Sequence, residues 1–111
     1  MQQYRHGLSF GDAVAALNDG ECVRRSSWQN DDLFVFRQVP STIPAKVVPV
    51  MTSLPQKVKD FFQATFDNPN EQINSIYYSD QLALVHKSNL ITGYSPSPSD
   101  ALATDWAILI I

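Results

Sequence analysis

A single cysteine, Cys22, and two histidines, His6 and His86, are all that this chain of 111 residues offers as soft metal ligands. One thiol excludes an intrachain disulfide, and two isolated imidazoles make no zinc-site spacing. Positive charge is also scarce, with eight Lys and Arg against eleven Asp and Glu, a net charge of −3 and a pI near 5.1. That balance argues against a sequence-independent DNA or RNA binder, which shows a basic stripe to the phosphates. An anionic ligand has to be small and met by a local cation such as Arg25. No apolar run approaches the roughly 20 residues that cross a bilayer, and Met1-Gln2-Gln3-Tyr4-Arg5-His6 does not form a signal peptide. The expectation is a cytoplasmic protein without membrane contact. Gly-rich phosphate loops and GxSxG elbows are missing, and no His stands at a recognised spacing from Cys22 or a serine. No enzyme and no cofactor are expected.

What is present is ordinary globular material: 44% apolar and 17% charged residues. The length suits a single domain spanning 1–111, short enough that oligomerisation is a natural way to bury more surface. Ser9 can cap a helix over 10–19, with Asp12 at the capping-box position, Phe10, Ala13, Val14 and Leu17 on one face, and Gly20 at the stop. Two strands follow at 22–28 and 33–39, joined by the turn residues Gln29-Asn30-Asp31-Asp32. Prolines 40, 44 and 49 break regular structure over 40–51 and read as an excursion away from the sheet. Within that excursion Ser53 can cap a second helix, with Pro55 in its first turn and Leu54, Val58, Phe61, Phe62 and Phe66 along one side. A phenylalanine stripe of this kind reads as packing, including packing against another subunit.

Residues 73–79 and 81–86 read as strands, with Lys87-Ser88-Asn89 as a turn before a short strand ending near Tyr94. Ser97, Pro98 and Asp100 then supply a cap, a first-turn proline and a capping-box acid. The chain closes on Trp106-Ala107-Ile108-Leu109-Ile110-Ile111, too apolar for a sheet edge in water, so a central or an intersubunit strand is expected. The elements add up to an α+β domain. It is a small antiparallel sheet with the N-terminal helix packed on it and an inserted helix at about 40–74.

Two clusters carry polar chemistry. Val23-Arg24-Arg25-Ser26-Ser27-Trp28 puts cations and an indole within one strand length, where neighbouring side chains point to opposite faces and one arginine should be a surface cation. A guanidinium beside Trp28 could hold a pyrophosphate and lie along a base, or it could be a solvated arginine next to a core tryptophan. Asp100 and Asp105 could accept from ribose hydroxyls or exocyclic amines. Asp100 taken alone reads as a helix cap, while Asp105, next to a buried strand, needs a partner. Five residues apart on a helical turn, the two acids point to different sides, which weakens a glycosidase-type pair.

Ser9-Phe10-Gly11-Asp12-Ala13 opening a helix, Arg25-x-x-Trp28, and Tyr94-x-Pro96-Ser97-x-x-Asp100-x-Leu102-Ala103-x-Asp105-Trp106 occur in that order. In this the chain resembles a small phage and prophage domain family whose characterised members are Thoeris anti-defence proteins of the second type. The resemblance covers 8–38 and about 76–111. The segment 40–74 has no matched counterpart, and Tyr94 stands where tryptophan is expected. The resemblance implies a non-enzymatic sponge in the cytoplasm of the bacterial host. Such a protein binds the cyclic ADP-ribose isomer made by a TIR-domain defence enzyme, and in some members cyclic di- or trinucleotides at a separate site. It implies α+β tetramers with pockets between subunits. Arg25, Trp28, Tyr94, Ser97, Asp100 and Asp105 become the ligand candidates, with Trp28 and Tyr94 on purine, Arg25 on pyrophosphate and the acids on ribose. The alternative is a phage or prophage interaction module that binds a host protein and no nucleotide.

Overall fold

Ser9 closes a full capping box: its hydroxyl accepts from the Asp12 backbone N–H at 3.1 Å, and the Asp12 carboxylate accepts from the Ser9 N–H at 3.2 Å. Helix α1 therefore starts at Phe10 and runs to Asn18, burying Ala13, Ala16 and Leu17 on one face. It stops where Gly20 takes a φ of +87°, a left-handed conformation that a Cβ would disfavour. Ser9→Ala is expected to cost about 1 kcal/mol and to lower the thermal midpoint by about 4–8 °C. A circular-dichroism melt checks this.

The computed structural model describes residues 2–28 and 33–111, so the expected hairpin loop Gln29-Asn30-Asp31-Asp32 lies outside the described residues. Contacts within the chain group into two units, Met1–Val39 with Asp80–Ile111, and Pro40–Ser79. The first unit holds strands β1 (Gln2–Leu8), β2 (Cys22–Arg25) and β3 (Phe34–Gln38). The second holds β4 (Ser41–Pro44), helix α2 (Gln56–Asp67) and β5 (Ser75–Tyr78). Strands β6 (Gln81–Val85) and β7 (Ile91–Gly93), helix α3 (Pro98–Leu102) and strand β8 (Trp106–Ile110) complete the first.

The first unit is a six-stranded sheet in the order β1-β8-β2-β3-β6-β7, with every neighbouring pair antiparallel. Register builds the core directly: Ile108 faces Val23, Val23 faces Val35 and Val35 faces Leu84, one apolar row across four strands. Helix α1 packs on that row together with Trp106 and Phe10. The apolar C-terminal strand is central, between β1 and β2, which is why Ile108 and Leu109 are both only 2% exposed. That burial removes these residues as material for a subunit contact.

Strand β1 has no alternating apolar signal and the sequence does not announce it. It forms because β8, apolar on both faces, has a second edge to cover. Its pairing with β8 slips twice, between Gln3 and Arg5 and between Arg5 and Leu8. Gly7, at φ +70°, sits in the second irregularity, where a β-bulge favours glycine.

In the second unit β4 and β5 pair antiparallel into a two-stranded ribbon of their own. Regular structure was not expected over 40–51, yet β4 and a short 3-10 turn at Val48–Val50 both form there. The prolines are tolerated because β4 has a partner on one side only and Pro44 sits at its end. Ser53 is not the cap of α2. The helix begins at Gln56 after Pro55, with no side-chain cap, because the proline ring pushes Leu54 out of helical conformation and strands Ser53 two residues too early.

Candidate functional site

Strand β2 ends opposite the start of β8, with Arg25 and Trp106 as register partners. There the Ser26 N–H donates to the Asp105 carbonyl at 2.8 Å, and the chain turns so that the Trp28 N–H donates to the Arg25 carbonyl at 3.1 Å. Trp28 therefore lies past a turn and not on the strand as expected. Neither arginine is a plain surface cation: Arg24 is 7% exposed, and the Arg25 side chain 21%.

The second wall comes from α3. Ser97 caps it, accepting from the Asp100 N–H at 3.0 Å, and Asp100 accepts in return from the Ser97 N–H at 3.3 Å. Pro98 is the first helical residue, and the helix ends at Leu102. Asp105 is thus beyond the helix, so the rule that separates acids five apart does not apply. Both carboxylates converge on Arg25, whose Nε donates to Asp105 Oδ1 at 2.8 Å and whose Nη1 donates to Asp100 Oδ1 at 3.1 Å. Asp100 Oδ2 also accepts from the Tyr94 hydroxyl at 2.8 Å, and Asp105 Oδ2 from the Ser27 N–H at 3.1 Å.

The aromatics close round this ionic group. Trp28 meets Tyr94 edge-on at 6.2 Å and Trp106 edge-on at 5.5 Å, and Phe10 lies 5.4 Å from Trp106. The Trp106 indole N–H donates to the Asp100 carbonyl at 2.9 Å. All six candidates, Arg25, Trp28, Tyr94, Ser97, Asp100 and Asp105, are brought into one network. Sequence reasoning left out Ser27, Trp106 and Phe10. Trp106 was legible as the residue that closes the Asp105-Trp106 end of the motif, but its place as the aromatic centre depends on β8 being internal.

Burial alone would raise the Asp100 carboxyl, but hydrogen bonds from Tyr94, Arg25 and Ser97 outweigh it and hold the group below the usual carboxylate range. The Arg25 hydrogen bond dominates at Asp105 and, with Ser27, likewise lowers it against a smaller desolvation push. Burial, then the bond to the Asp100 carboxylate, drives the Tyr94 phenol well up. Two acids ionised more readily in the fold than in the open chain stabilise it above about pH 4, their unfolded range, and this contribution is lost as pH falls through their lower folded values. The thermal midpoint is expected to hold steady above about pH 5 and drop below about pH 4, and Asp105→Asn is expected to flatten that acid limb. The raised Tyr94 acts at the other end: its share is present below about pH 10 and lost as pH rises beyond it, a limb that Tyr94→Phe should reduce.

Among the described residues no group of three or more His, Cys, Asp or Glu is placed to hold a metal ion, and no helix is long and apolar enough to cross a membrane. A cavity of about 520 Å³ is lined by the second unit alone and by none of the six candidates.

A small antiparallel sheet with one capped helix on its face, and an arginine held by two acids beside an aromatic cluster, defines an α+β domain. Its sequence matches the profile of the Thoeris anti-defense 2-like domain over residues 8–109, and the chain belongs to that family. A relative from Bacillus phage SP01, named Thoeris anti-defense 2, is 26% identical over 102 residues, covering 92% of this chain and 94% of the relative. Membership gives the chain a phage anti-defence role. The match runs through 40–74 instead of stopping on either side of it, so the resemblance extends further than the motifs alone indicate.

Proposed function

We propose that this protein blocks bacterial anti-phage defence by binding and holding a cyclic nucleotide signal, a cyclic ADP-ribose isomer first and cyclic di- or trinucleotides second, without turning it over. The carrying observation is the Arg25 cluster, in which one guanidinium, two carboxylates and two half-buried aromatic rings meet at one corner of the sheet. One cation against two anions makes that corner net acidic, so a bare phosphate is repelled. A nucleotide brings pyrophosphate for Arg25, ribose hydroxyls for Asp100 and Asp105, and a purine for Trp28 and Tyr94, with Ser97 alongside, and so suits both signs of charge.

The same electrostatics suit holding a ligand better than general-acid catalysis. A general acid needs a carboxyl held protonated near neutral pH, whereas Asp100 and Asp105 are both held ionised. A sponge has to outcompete an effector for scarce signal and gains from a rigid, prepaired site with little ordering cost. We place it in the host cytoplasm as a homo-oligomer, a tetramer in the form the family resemblance implies. The interaction-module alternative draws on the exposed aromatics of the second unit.

One panel separates the readings. The pure protein is mixed with cyclic ADP-ribose isomers, cyclic di- and trinucleotides and inorganic pyrophosphate, scored by thermal shift, then heated to release the ligand. Stabilisation by a cyclic nucleotide that returns chemically intact, with none by pyrophosphate, is the expected result. Linear ADP-ribose or a nucleoside monophosphate in the supernatant moves the protein into the enzyme class, and no stabilisation at all favours the interaction module.

A further inference from the structure

We propose that the Tyr94 hydroxyl is the positioning group of the Arg25 site: it fixes the Asp100 carboxylate, and the carboxylate in turn fixes the guanidinium that a ligand meets. What Arg25 receives rests on the sponge reading, whereas the positioning itself does not.

The contacts begin away from the arginine. Tyr94 follows β7 at the outer edge of the sheet, and its backbone N–H donates to the Leu82 carbonyl of β6 at 2.9 Å. Its ring is half-buried against the core and meets Trp28 edge-on at 6.2 Å. A main chain tied to β6 and a ring set against an indole leave the hydroxyl little choice of direction, since a tyrosine turns about only two side-chain torsions. It donates to Asp100 Oδ2 at 2.8 Å. Packing does not require that hydroxyl, because phenylalanine offers the same ring to Trp28.

The phenol decides which way the carboxylate faces. The two oxygens of an aspartate are chemically equivalent, and only their donors tell them apart. Oδ2 takes the phenol at 2.8 Å and the Ser97 N–H at 3.3 Å, the second long for a charge-assisted bond, and Oδ1 is thereby aimed at Arg25 Nη1 at 3.1 Å. Asp105 holds the same guanidinium at Nε, and among the described residues Nη2 has no acceptor. An arginine fork on its long stem keeps one orientation when it is gripped at two points. Asp105 is the looser grip, its side chain 33% exposed, and Asp100 at 15% is the firmer one. Tyr94 is what makes it firm, and a side chain that orients a binding residue in this way sets affinity through that residue.

Nuclear magnetic resonance on the full chain without ligand tests the positioning, with Tyr94→Phe as the variant because it keeps the ring. Burial pushes the Asp100 carboxyl up, and the phenol is the foremost of the bonds that pull it down. In Tyr94→Phe the Asp100 titration midpoint is therefore expected to rise, and the Arg25 guanidinium protons to exchange faster with water. In an Asp100→Ala background the same substitution is expected to change nothing at Arg25, the mark of a residue that acts through another. Ser9→Ala, which removes a helix cap outside the network, is expected to lower stability and leave both signals in place. For a cyclic nucleotide that the parent binds, Tyr94→Phe is expected to lose about tenfold in affinity by calorimetry, the size of one hydrogen bond to a charged group. An unchanged Asp100 midpoint with unchanged Arg25 exchange, an equal effect with and without Asp100, or wild-type affinity in Tyr94→Phe each overturns the proposal. Both signals moving in a protein that takes up no cyclic nucleotide supports the positioning and defeats only the sponge reading.

Discussion

Trp106→Ala is expected to cost about 3–5 kcal/mol, the largest single loss anywhere in the chain. The side chain is fully buried, 0% exposed, at the start of the central strand. Phe10 and Trp28 both pack on its ring, and its indole N–H holds the Asp100 carbonyl in the middle of α3. Truncation opens a cavity under α1, leaves Trp28 without its backing and takes one of two donors from the Asp100 carbonyl, which keeps the Ala103 N–H at 3.3 Å. Small domains carry about 5–15 kcal/mol in all, so a large share of the folded margin goes. Trp106→Phe keeps much of the volume but loses the donor, and is expected to cost less, about 1–3 kcal/mol. Urea titration followed by circular dichroism reads both variants. An alanine variant within 0.5 kcal/mol of wild type, the range of ordinary surface substitutions, would show that the aromatic centre is not where the sheet is held together.

The parts of this fold legible in the sequence are those whose signal is local. Ser9 with Asp12 and Ser97 with Asp100 are capping boxes that operate within four residues, and both close as expected. The apolar C-terminus is legible as a strand shielded from water, central or between subunits, and the structure makes it central, with Ile108 and Leu109 buried. Strand β1 was not legible, since Gln2-Gln3-Tyr4-Arg5-His6-Gly7-Leu8 owes its conformation to an edge of β8 a hundred residues away in the chain. The assignment of β5 was half legible: its residues read as strand, but nothing local says that it pairs with β4 in a separate ribbon rather than with the main sheet.

The site divides in the same way. Residue types at Arg25, Trp28, Tyr94, Ser97, Asp100 and Asp105 pointed to polar recognition, but not to the fact that the cation and the acids are already paired with one another. That pairing is a long-range outcome of β2 lying beside β8, which brings residue 25 to residues 100 and 105. It changes the physics of binding. A ligand of the proposed kind would not meet an idle guanidinium; it would meet a satisfied network and have to offer something better to at least one member. Asp105 is the member that yields more readily, because its side chain is 33% exposed against 15% for Asp100 and it lacks the tyrosine and helix-cap bonds that fix its neighbour.

That difference makes Asp105 and Trp28 the two positions at which ligand affinity should fall without loss of the fold. Trp28 lies beyond the end of β2 and is half-buried, so its alanine variant loses an edge contact with Trp106 and Tyr94 but leaves the Arg25 ion pairs in place. Stacking on one base is worth about 1–3 kcal/mol by alanine substitution, and a charged hydrogen bond to ligand hydroxyls about 1.5–3 kcal/mol. Each 1.4 kcal/mol is about a factor of ten, so Trp28→Ala and Asp105→Ala are each expected to weaken the cyclic nucleotide about tenfold to a hundredfold. Asp105→Asn separates ligand contact from charge balance: the amide can still accept from a ribose hydroxyl but no longer neutralises Arg25, and is expected to fall between wild type and alanine. Were Asp105 only a counterion to Arg25, removing its charge would instead free the guanidinium for phosphate and tighten binding in both variants. Titration calorimetry on variants shown by circular dichroism to be folded decides the matter. Wild-type affinity in Trp28→Ala and Asp105→Ala, for every cyclic nucleotide the parent binds, would return these side chains to a purely structural role and move the pocket elsewhere on the domain.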